Sequence, residues 1–351
     1  MRPSRSAYVK SPWLFEVRDN PVENPGLGKM LVSIKACGVC GTDIHTARTA
    51  ANDWQLFGHE MAGVVESVGE GVTRFAPGDR VALNTAAPCG RCQMCSPLPY
   101  GRARPSQCKN VSTYWGGPQM GFGEFIVTPE ECAVKIPDGM SFTVASLAEP
   151  MGVSIDLVET GEIEPGDNVL IIGPGPLGLG AITVAKNAGA SHIALAGLSK
   201  SIARLEAGEA LGADEIIRVD KTPLAQYDFG TFSPDKILVT SPPATLPEAI
   251  SIAAFGATIA YIGIAGNSDA VISFDADDFH FRRLSLKASY ASPDTQTTKS
   301  LRLLETCPEL APQLISSTFT LDELADAMTS IRDDDERSVK KVVMISGGDA
   351  I

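Results

Sequence analysis

A glycine-rich turn between an apolar stretch and an alanine-rich stretch constrains the fold more than any other feature of this chain. Its glycines permit a tight turn, a close approach of the backbone to a pyrophosphate and close packing of helix on strand. Amides at the helix N-terminus would then meet the phosphates. A turn of this kind can also simply end a strand. Between a strand and a helix it predicts a dinucleotide site formed by Gly173, Gly175, Pro176, Leu177 and Gly178.

The pattern around this turn repeats along the second half of the chain. Apolar strands are predicted over 168–172, 192–196, 236–240, 258–262 and 284–289, with helices over 177–187 and 201–211 between the first of them. Alternation of this type is typical of a parallel sheet covered by helices. The first 150 residues carry short β-prone runs separated by Gly and Pro turns, which predicts a mostly β domain. After residue 300 we expect a helix, a second helix over 321–331 and a last strand over 340–345. The fold class is therefore α/β with a separate β domain.

The end of the second strand of such a sheet discriminates between the two nicotinamide dinucleotides. An acidic side chain there holds the ribose 2′-hydroxyl and repels a 2′-phosphate, and this chain has Gly197 at that point. Ser199, Lys200 and Arg204 follow and could donate to a phosphate. The sequence thus favours NADP(H) over NAD(H). The alternative is that Lys200 and Arg204 only form the solvated face of the next helix.

Four cysteines at short spacing predict a structural zinc site. Thiolates at such spacing can form a tetrahedral cage on one loop. A disulfide framework is the alternative, but the chain has 8 cysteines in 351 residues and no apolar signal segment after its charged first residues. We therefore expect a reducing, cytoplasmic location. The ligands of this site are Cys89, Cys92, Cys95 and Cys108.

A second set of metal-binding residue types precedes this loop. The stretch CGVCGTDIH runs from Cys37 to His45, followed by His59 and Glu60, and later by Glu149. A catalytic zinc needs nitrogen, oxygen or sulfur ligands with one position left open, and Cys37, His59 and a carboxylate supply them. Each residue alone has a simpler explanation as core or surface, so the hypothesis depends on their co-occurrence.

Composition limits the partners of this protein. The net charge of -13 opposes binding to phosphate backbones and anionic lipids, so we expect neither a nucleic-acid nor a membrane role. Apolar runs stay well below the about 20 residues that span a bilayer. At 351 residues the chain is long enough for two domains.

In the order of these motifs the chain resembles the zinc-dependent medium-chain dehydrogenase/reductase family, from Lys35 to Ile345. The resemblance implies a GroES-like catalytic domain over 1–152, a Rossmann domain over 153–290 and a return to the catalytic domain over 291–351. It implies a catalytic zinc held by Cys37 and His59 with Glu60 or Glu149 as an exchanging carboxylate, while Cys40 is not expected to be a ligand. A homodimer or homotetramer is also implied.

Two departures from the family pattern concern the zinc loop and the substrate. The segment between Cys95 and Cys108 is longer than usual and contains the residues 97–101. The polyol branch tends to carry an Arg-Tyr pair after the last Rossmann strand, whereas here the chain reads Ser289-Tyr290. Recognition of a sorbitol-like substrate is therefore not expected.

The implied reaction interconverts an alcohol and a carbonyl by hydride transfer to or from the nicotinamide. Zinc would act as a Lewis acid on the substrate oxygen. Thr42 would accept the proton and pass it through the cofactor ribose towards His45 near solvent, a residue type that commonly transfers protons. The alternative is that Thr42 and His45 only satisfy backbone groups. The cleft wall is expected among Trp54, Phe57, Trp115, Met120 and Phe122, of which at least half are expected to be core.

Other functions remain open at this point. One is a zinc-free quinone or enone reductase on the same fold, or an NADPH-dependent carbonyl reductase. Another is a non-enzymatic, redox-regulated nucleotide-binding protein. A metal count separates them, because only the dehydrogenase needs two zinc ions per chain. The substrate, a secondary alcohol, polyol or sugar, is not identified by the sequence.

Overall fold

The structure is a computed structural model that describes residues 1–96, 103–230, 232–265, 270–292, 294–333 and 338–346. Its strands are β1 (Arg5–Lys10), β2 (Leu14–Asp19), β3 (Lys29–Gly38), β4 (Gln55–Leu56), β5 (Glu60–Val68), β6 (Arg80–Leu83), β7 (Ala86–Ala87), β8 (Ser112–Thr113), β9 (Phe125–Pro129), β10 (Ala133–Lys135), β11 (Asn168–Ile172), β12 (His192–Gly197), β13 (Glu215–Arg218), β14 (Lys236–Val239), β15 (Thr258–Tyr261), β16 (Ser285–Ala288), β17 (Ile315–Thr320) and β18 (Lys340–Met344). Its helices are α1 (Gly41–His45), α2 (Phe142–Ala145), α3 (Ala148–Gly161), α4 (Pro176–Asn187), α5 (Ile202–Ala210), α6 (Leu246–Ile252), α7 (Ala276–Phe281), α8 (Thr297–Thr306), α9 (Leu310–Leu314) and α10 (Leu324–Asp333).

The larger N-terminal sheet brings the two ends of the chain together. Its order is β10-β6-β5-β3-β18-β17, and β9 also pairs with β3. The central strand β3 is apolar and buried along most of its length, as expected for a strand covered on both faces. Gly38 at its end pairs with Glu60 at the start of β5, and Val342 of β18 pairs with Gly38 on the other side. The C-terminal strand therefore lies beside the residues that follow β3.

The second sheet has six parallel strands in the order β13-β12-β11-β14-β15-β16. Numbered within this half of the chain the order is 3-2-1-4-5-6, which is that of dinucleotide-binding folds. The predicted parallel sheet is confirmed, with strand bounds that differ from the predicted ones by a residue or two at most. The helix predicted over 321–331 lies at Leu324–Asp333. The predicted domain limits remain predictions, and α3 runs across the one at residue 152.

Helix α3 connects the two sheets and positions the site. It packs against α4 and α8, and its side chains Met151 and Leu157 are fully buried. Burial of each such side chain contributes about 1.5–3 kcal/mol. Gly180 on α4 allows the close approach, since a Cβ there would lie 2.6 Å from Ser154 Oγ on α3. Among the described residues, no helix combines the length and apolar character that a membrane span requires.

Candidate active site and metal centres

The four cysteines predicted for a structural zinc site come together in space. The Sγ atoms of Cys92 and Cys95 lie 3.5 Å apart, those of Cys92 and Cys108 3.7 Å, and those of Cys108 and Cys89 3.6 Å. A tetrahedron of sulfurs at the usual zinc–sulfur length has edges of about 3.75 Å. The cluster thus fits a zinc ion, although the inserted residues 97–101 lie outside the described part of the chain.

The electrostatics of this cluster also suit a cation. Donation from the backbone N–H of Arg91 lowers the pKa of Cys89 to about 6, and the N–H of Cys95 similarly lowers the pKa of Cys92. Desolvation and the neighbouring sulfurs raise the pKa of Cys95 to about 12. Four thiolates cannot coexist so closely without a positive charge between them, and a metal ion supplies it.

A second cluster forms where β3 ends and β5 begins. Cys40, His59 and Glu60 offer ligand atoms that lie within 4.8 Å of one another. Cys40 directly precedes α1, whereas His59 and Glu60 enter β5, so the pairing of β3 with β5 brings them together. A thiol, an imidazole and a carboxylate are the donor types of a catalytic zinc site.

The prediction that Cys37 belongs to this cluster is wrong, and Cys40 takes its place. Cys37 is paired with Met61 and Val343 inside the sheet, fully buried in the apolar core. Its thiol contacts the carbonyl of Gly38 at 3.6 Å. Desolvation raises the pKa of Cys37 well above its ordinary value, which keeps the thiol neutral there.

Asp43 positions both halves of the cluster. Its Oδ2 accepts from the N–H of Cys40 at 2.9 Å, and its Oδ1 accepts from the N–H of Gly58 at 3.1 Å. Asp43 Oδ1 also lies 3.9 Å from Nδ1 of His59, a buried atom without a hydrogen-bond partner among the described residues. A carboxylate behind an imidazole orients a metal-binding histidine. From the other side, the hydroxyl of Tyr114 donates to the carbonyl of His59 at 3.3 Å.

Glu60 is held by a buried lysine. Lys340 Nζ on β18 lies 2.7 Å from Oε1 and 2.5 Å from Oε2 of Glu60, and donates to the carbonyl of Val39 at 3.1 Å. The two side chains are 2% and 1% exposed. Burial alone lowers the pKa of Lys340, but Glu60 and the neighbouring acidic groups outweigh burial and raise that pKa above its ordinary value. The lysine is therefore charged. Lys340 could not be recognised from the sequence, because it lies 280 positions from its partner.

Burial and neighbouring charges raise the pKa values of the groups in and around this cluster. Burial, followed by the charges of Glu60 and Asp43, raises the pKa of Cys40 to about 12. Burial, partly offset by His59, raises the pKa of Glu149 to about 8. Burial alone lowers the pKa of His59, but Asp43 and Glu149 raise it above its ordinary value. Each group therefore favours a proton in the absence of a cation, and a divalent ion at this point would displace those protons. Glu149 lies in the first turn of α3, outside the group within 4.8 Å.

The residues predicted for a proton relay lie on α1. The thiol of Cys40 contacts the hydroxyl of Thr42 at 3.7 Å, so Thr42 lies beside the cluster. His45 at the other end of the helix is exposed, and its Nδ1 lies 3.5 Å from the hydroxyl of Thr49.

A cavity of about 270 Å³ lies next to this helix. Trp115 lines this cavity and also contacts the cluster, because its ring meets the ring of His59 edge-on with 5.3 Å between centroids. Of the five expected wall residues, Trp54 packs under Arg18 and Phe122 is core, which leaves three at the cavity. The residues that line the cavity include Thr42, Phe57, Gly58, Trp115 and Met120.

The glycine turn has the geometry that pyrophosphate binding needs. Gly173 has a φ of 114°, and a Cβ on Gly178 would lie 2.0 Å from the carbonyl oxygen of Gly173. The hydroxyl of Thr240 donates to that carbonyl at 2.9 Å and so ties the turn to β14. Helix α4 then begins at Pro176 and continues through Leu177. The first N–H groups of a helix have no acceptor within it, so those of α4 are available to a phosphate at the turn.

The residues predicted for the cofactor phosphate follow β12, which ends at Gly197. The N–H of Ser199 donates to Oδ1 of Asp220 at 2.6 Å, which lowers the pKa of that carboxyl. Arg204 Nε donates to the carbonyl of Ser338 at 2.9 Å and so connects α5 to the C-terminal segment, which favours the structural interpretation of Arg204. Lys200 is exposed. Asp220 is an acidic group that the sequence did not reveal, because it comes from the loop after β13 and only the pairing of β13 with β12 brings it here.

Comparison with known proteins defines the class. Residues 26–138 match the model of the alcohol dehydrogenase GroES-like domain, and residues 176–306 match that of the zinc-binding dehydrogenase domain. The chain belongs to the zinc-dependent medium-chain dehydrogenase/reductase family, and it is an oxidoreductase. The predicted fold class, a GroES-like domain with a Rossmann domain, is confirmed.

Individual relatives cover almost the whole chain. It is 28% identical over 352 residues to the starvation-sensing protein RspB of Escherichia coli K12, covering 97% of this chain and 99% of the relative. It is 27% identical to sorbitol dehydrogenase of Bacillus subtilis, covering 92% of each. The solved structure of RspB from Escherichia coli CFT073 with NADH is 26% identical with a TM-score of 0.86, covering 98% of this chain and 100% of that one.

Proposed function

We propose that this protein is a zinc-dependent NAD(P)(H) oxidoreductase that interconverts a small alcohol and its carbonyl by hydride transfer. The observation that carries the proposal is the cluster of Cys40, His59 and Glu60 beside the 270 Å³ cavity, whose lining residue Thr42 also contacts Cys40. The relatives named as dehydrogenases support the same reaction class.

Cys40 and His59 would hold the catalytic zinc, with Glu60 or Glu149 as the third protein ligand. When bound, zinc supplies Lewis-acid polarisation of the substrate oxygen. Glu60 is the carboxylate whose oxygen lies in the cluster, and its Oε2 is buried without a hydrogen-bond partner among the described residues, which supports Glu60 as the resting ligand. Glu149, which lies outside the group within 4.8 Å, would then be the carboxylate that exchanges onto the metal. Cys89, Cys92, Cys95 and Cys108 would hold the structural zinc.

Thr42 is proposed to accept the proton of the substrate hydroxyl at its Oγ1. Its position at the cavity wall, 3.7 Å from the Cys40 thiol, supports this role. His45 is exposed three residues further along α1. It would receive the proton from Thr42 by way of the cofactor ribose and release it to solvent. Replacement of Thr42 by Ala is then expected to lower turnover while leaving the zinc content intact.

NADP(H) is proposed as the preferred cofactor. Gly197 carries no carboxylate to repel a 2′-phosphate, and Lys200 is exposed nearby to attract it. Asp220 opposes this preference, because its carboxylate already accepts from the Ser199 N–H that a phosphate would use. We propose that Lys200 offsets this repulsion. The relative solved with NADH makes the comparison with NAD(H) essential.

The substrate is proposed to be a small secondary alcohol with an apolar part. The cavity is partly walled by Phe57, Trp115 and Met120. Where a polyol-type Arg would stand, Ser289 instead donates from its hydroxyl to Asp156 at 2.5 Å, and Tyr290 is largely exposed. Both observations argue against sorbitol-like substrates.

The test combines metal content with initial rates. Zinc would be counted by mass spectrometry, and nicotinamide absorbance followed with NADP⁺ and NAD⁺ against secondary alcohols, polyols, aldoses and hydroxy-amino acids. Two zinc ions and turnover of one alcohol class support the proposal. One zinc ion or none, with reduction of quinones or enones instead, would overturn it. Faster turnover with NAD⁺ would overturn only the cofactor preference.

A further inference from the structure

The space beside Gly197, where a second strand commonly carries its acidic residue, is filled by a residue of the glycine turn. Gly197 is buried at the end of β12. A Cβ at this position would lie 2.6 Å from Cγ and 2.9 Å from Cδ of Pro174, and 3.0 Å from Cδ2 of Leu205. Contacts below 3.0 Å are not tolerated between carbon atoms, so a residue with a side chain fits here only if Pro174 moves.

Pro174 cannot swing aside in the way a long side chain can. Its ring is covalently closed onto its own backbone, which fixes φ. The backbone on either side is also held. The N–H of Gly173 donates to the carbonyl of Ala196 at 2.9 Å, and the carbonyl of Gly173 accepts from Thr240. On the other side Gly175 leads directly into α4. The proline ring is thus a fixed wall against the end of β12.

We propose that Pro174 and Gly197 form one cofactor-specificity determinant. Pro174 excludes any carboxylate from the position that binds a ribose 2′-hydroxyl, and Gly197 is the residue that this exclusion permits. The inference rests on the proposed dinucleotide site, and it adds that the specificity of this chain is set jointly by the turn and by the second strand. It follows that an acidic residue at 197 alone cannot give the protein NAD(H) specificity.

The experiment is a double-mutant cycle in the full-length protein. Dissociation constants for NAD⁺ and NADP⁺ would be measured by calorimetry for the wild type, Pro174→Ala, Gly197→Asp and the double variant. Ala at 174 removes both ring atoms that a Cβ would meet. We expect Gly197→Asp alone to weaken NAD⁺ binding by about tenfold or more, because the turn must distort. In the double variant we expect NAD⁺ to bind at least about tenfold more tightly than in Gly197→Asp, with NADP⁺ disfavoured by the carboxylate.

A stability measurement keeps the test decisive if Gly197→Asp does not fold. Gly197→Ala adds only the Cβ and is compared by thermal unfolding with Gly26→Ala, where a Cβ has no described heavy atom within 4 Å. We expect Gly197→Ala to lower the thermal midpoint clearly more than Gly26→Ala does. In the Pro174→Ala background we expect Gly197→Ala to lower the midpoint much less than it does in the wild type. Equal effects in both backgrounds would overturn the coupling.

The outcomes also separate this inference from the proposed function. A gain of NAD⁺ affinity in Gly197→Asp as large as in the double variant overturns the pair. A wild type that binds neither dinucleotide overturns the proposed function, while the stability comparison still tests the contact between Pro174 and Gly197. A wild type that prefers NAD⁺ overturns the proposed NADP(H) preference and, with it, the role of the pair in specificity.

Discussion

Replacement of Lys340 by Met tests the electrostatic basis of the candidate active site. Met has a similar length but no charge, so the change leaves the Glu60 carboxylate buried at 1% exposure without its partner. It also removes the ammonium group that donates to the carbonyl of Val39 at 3.1 Å. Removal of one member of a buried ion pair typically costs about 3–5 kcal/mol, because the remaining charge is uncompensated. We expect the free energy of unfolding of Lys340→Met to fall by about that amount.

The matched control is another lysine–carboxylate pair on the surface. Lys135 Nζ lies 3.0 Å from Asp79, but the lysine side chain is 60% exposed. An exposed pair contributes about 1 kcal/mol or less, so Lys135→Met should have a correspondingly small effect. Urea unfolding would be followed by tryptophan fluorescence and far-UV circular dichroism, with coincident transitions required.

Two results would refute the reasoning. The first is an effect of Lys340→Met no larger than that of Lys135→Met. The second comes from the double variant Lys340→Met with Glu60→Gln, which leaves no charge unpaired. The double variant should lose less free energy of unfolding than the two single variants lose in sum. Strict additivity of the two losses would mean that the two groups do not act as a pair.

Three further predictions address the metal ligands. Cys40→Ser should lose the catalytic zinc and most activity, whereas Cys37→Ser should keep both zinc ions. Zinc would be counted by mass spectrometry, and the reverse result would identify Cys37 as the ligand. Cys92→Ser should lose the structural zinc and lower the thermal midpoint while the catalytic zinc is retained. In the metal-free protein, Glu149 has a pKa raised to about 8, so the unfolded chain releases that proton first and stability should fall as pH rises from about 5 to about 8. Urea midpoints at both pH values should show a smaller fall in Glu149→Gln, and an unchanged fall would exclude Glu149 as its source.

The parallel sheet and the four-cysteine cluster could be predicted because their signals are local. A strand, a glycine turn and a helix follow one another within about 20 residues. The four thiols lie on one loop, so their spacing alone limits how far apart they can be. The structure then brings their Sγ atoms within 3.5–3.7 Å in the pairs measured. The hydrophobic period marks such elements reliably when each carries its own pattern.

The error at Cys37 has a physical reason. Strand β3 is buried along nearly its whole length, so the alternation that tells the two faces of a strand apart is missing. Two cysteines three residues apart could then not be distinguished by pattern. The signal that separates them is Asp43, three residues after Cys40, whose carboxylate caps the Cys40 N–H and marks that residue as the start of a helix. Cys40 thus lies just before helix α1, outside the strand, whereas Cys37 is still part of strand β3.

Lys340 and Asp220 show a different limit, because neither is recognisable without the sheet order. Lys340 reaches Glu60 only because β18 joins the N-terminal sheet beside β3, and Asp220 reaches Ser199 only because β13 lies next to β12. Both groups change the charge balance of a site whose other members the sequence supplies. The residue types of the site can therefore be listed from motifs. Their protonation, and the cofactor preference of the protein, also depend on residues that neighbouring strands bring to the site. Assignments of specificity in this chain should accordingly be tested on pairs of residues, one from the motif and one from the neighbouring strand.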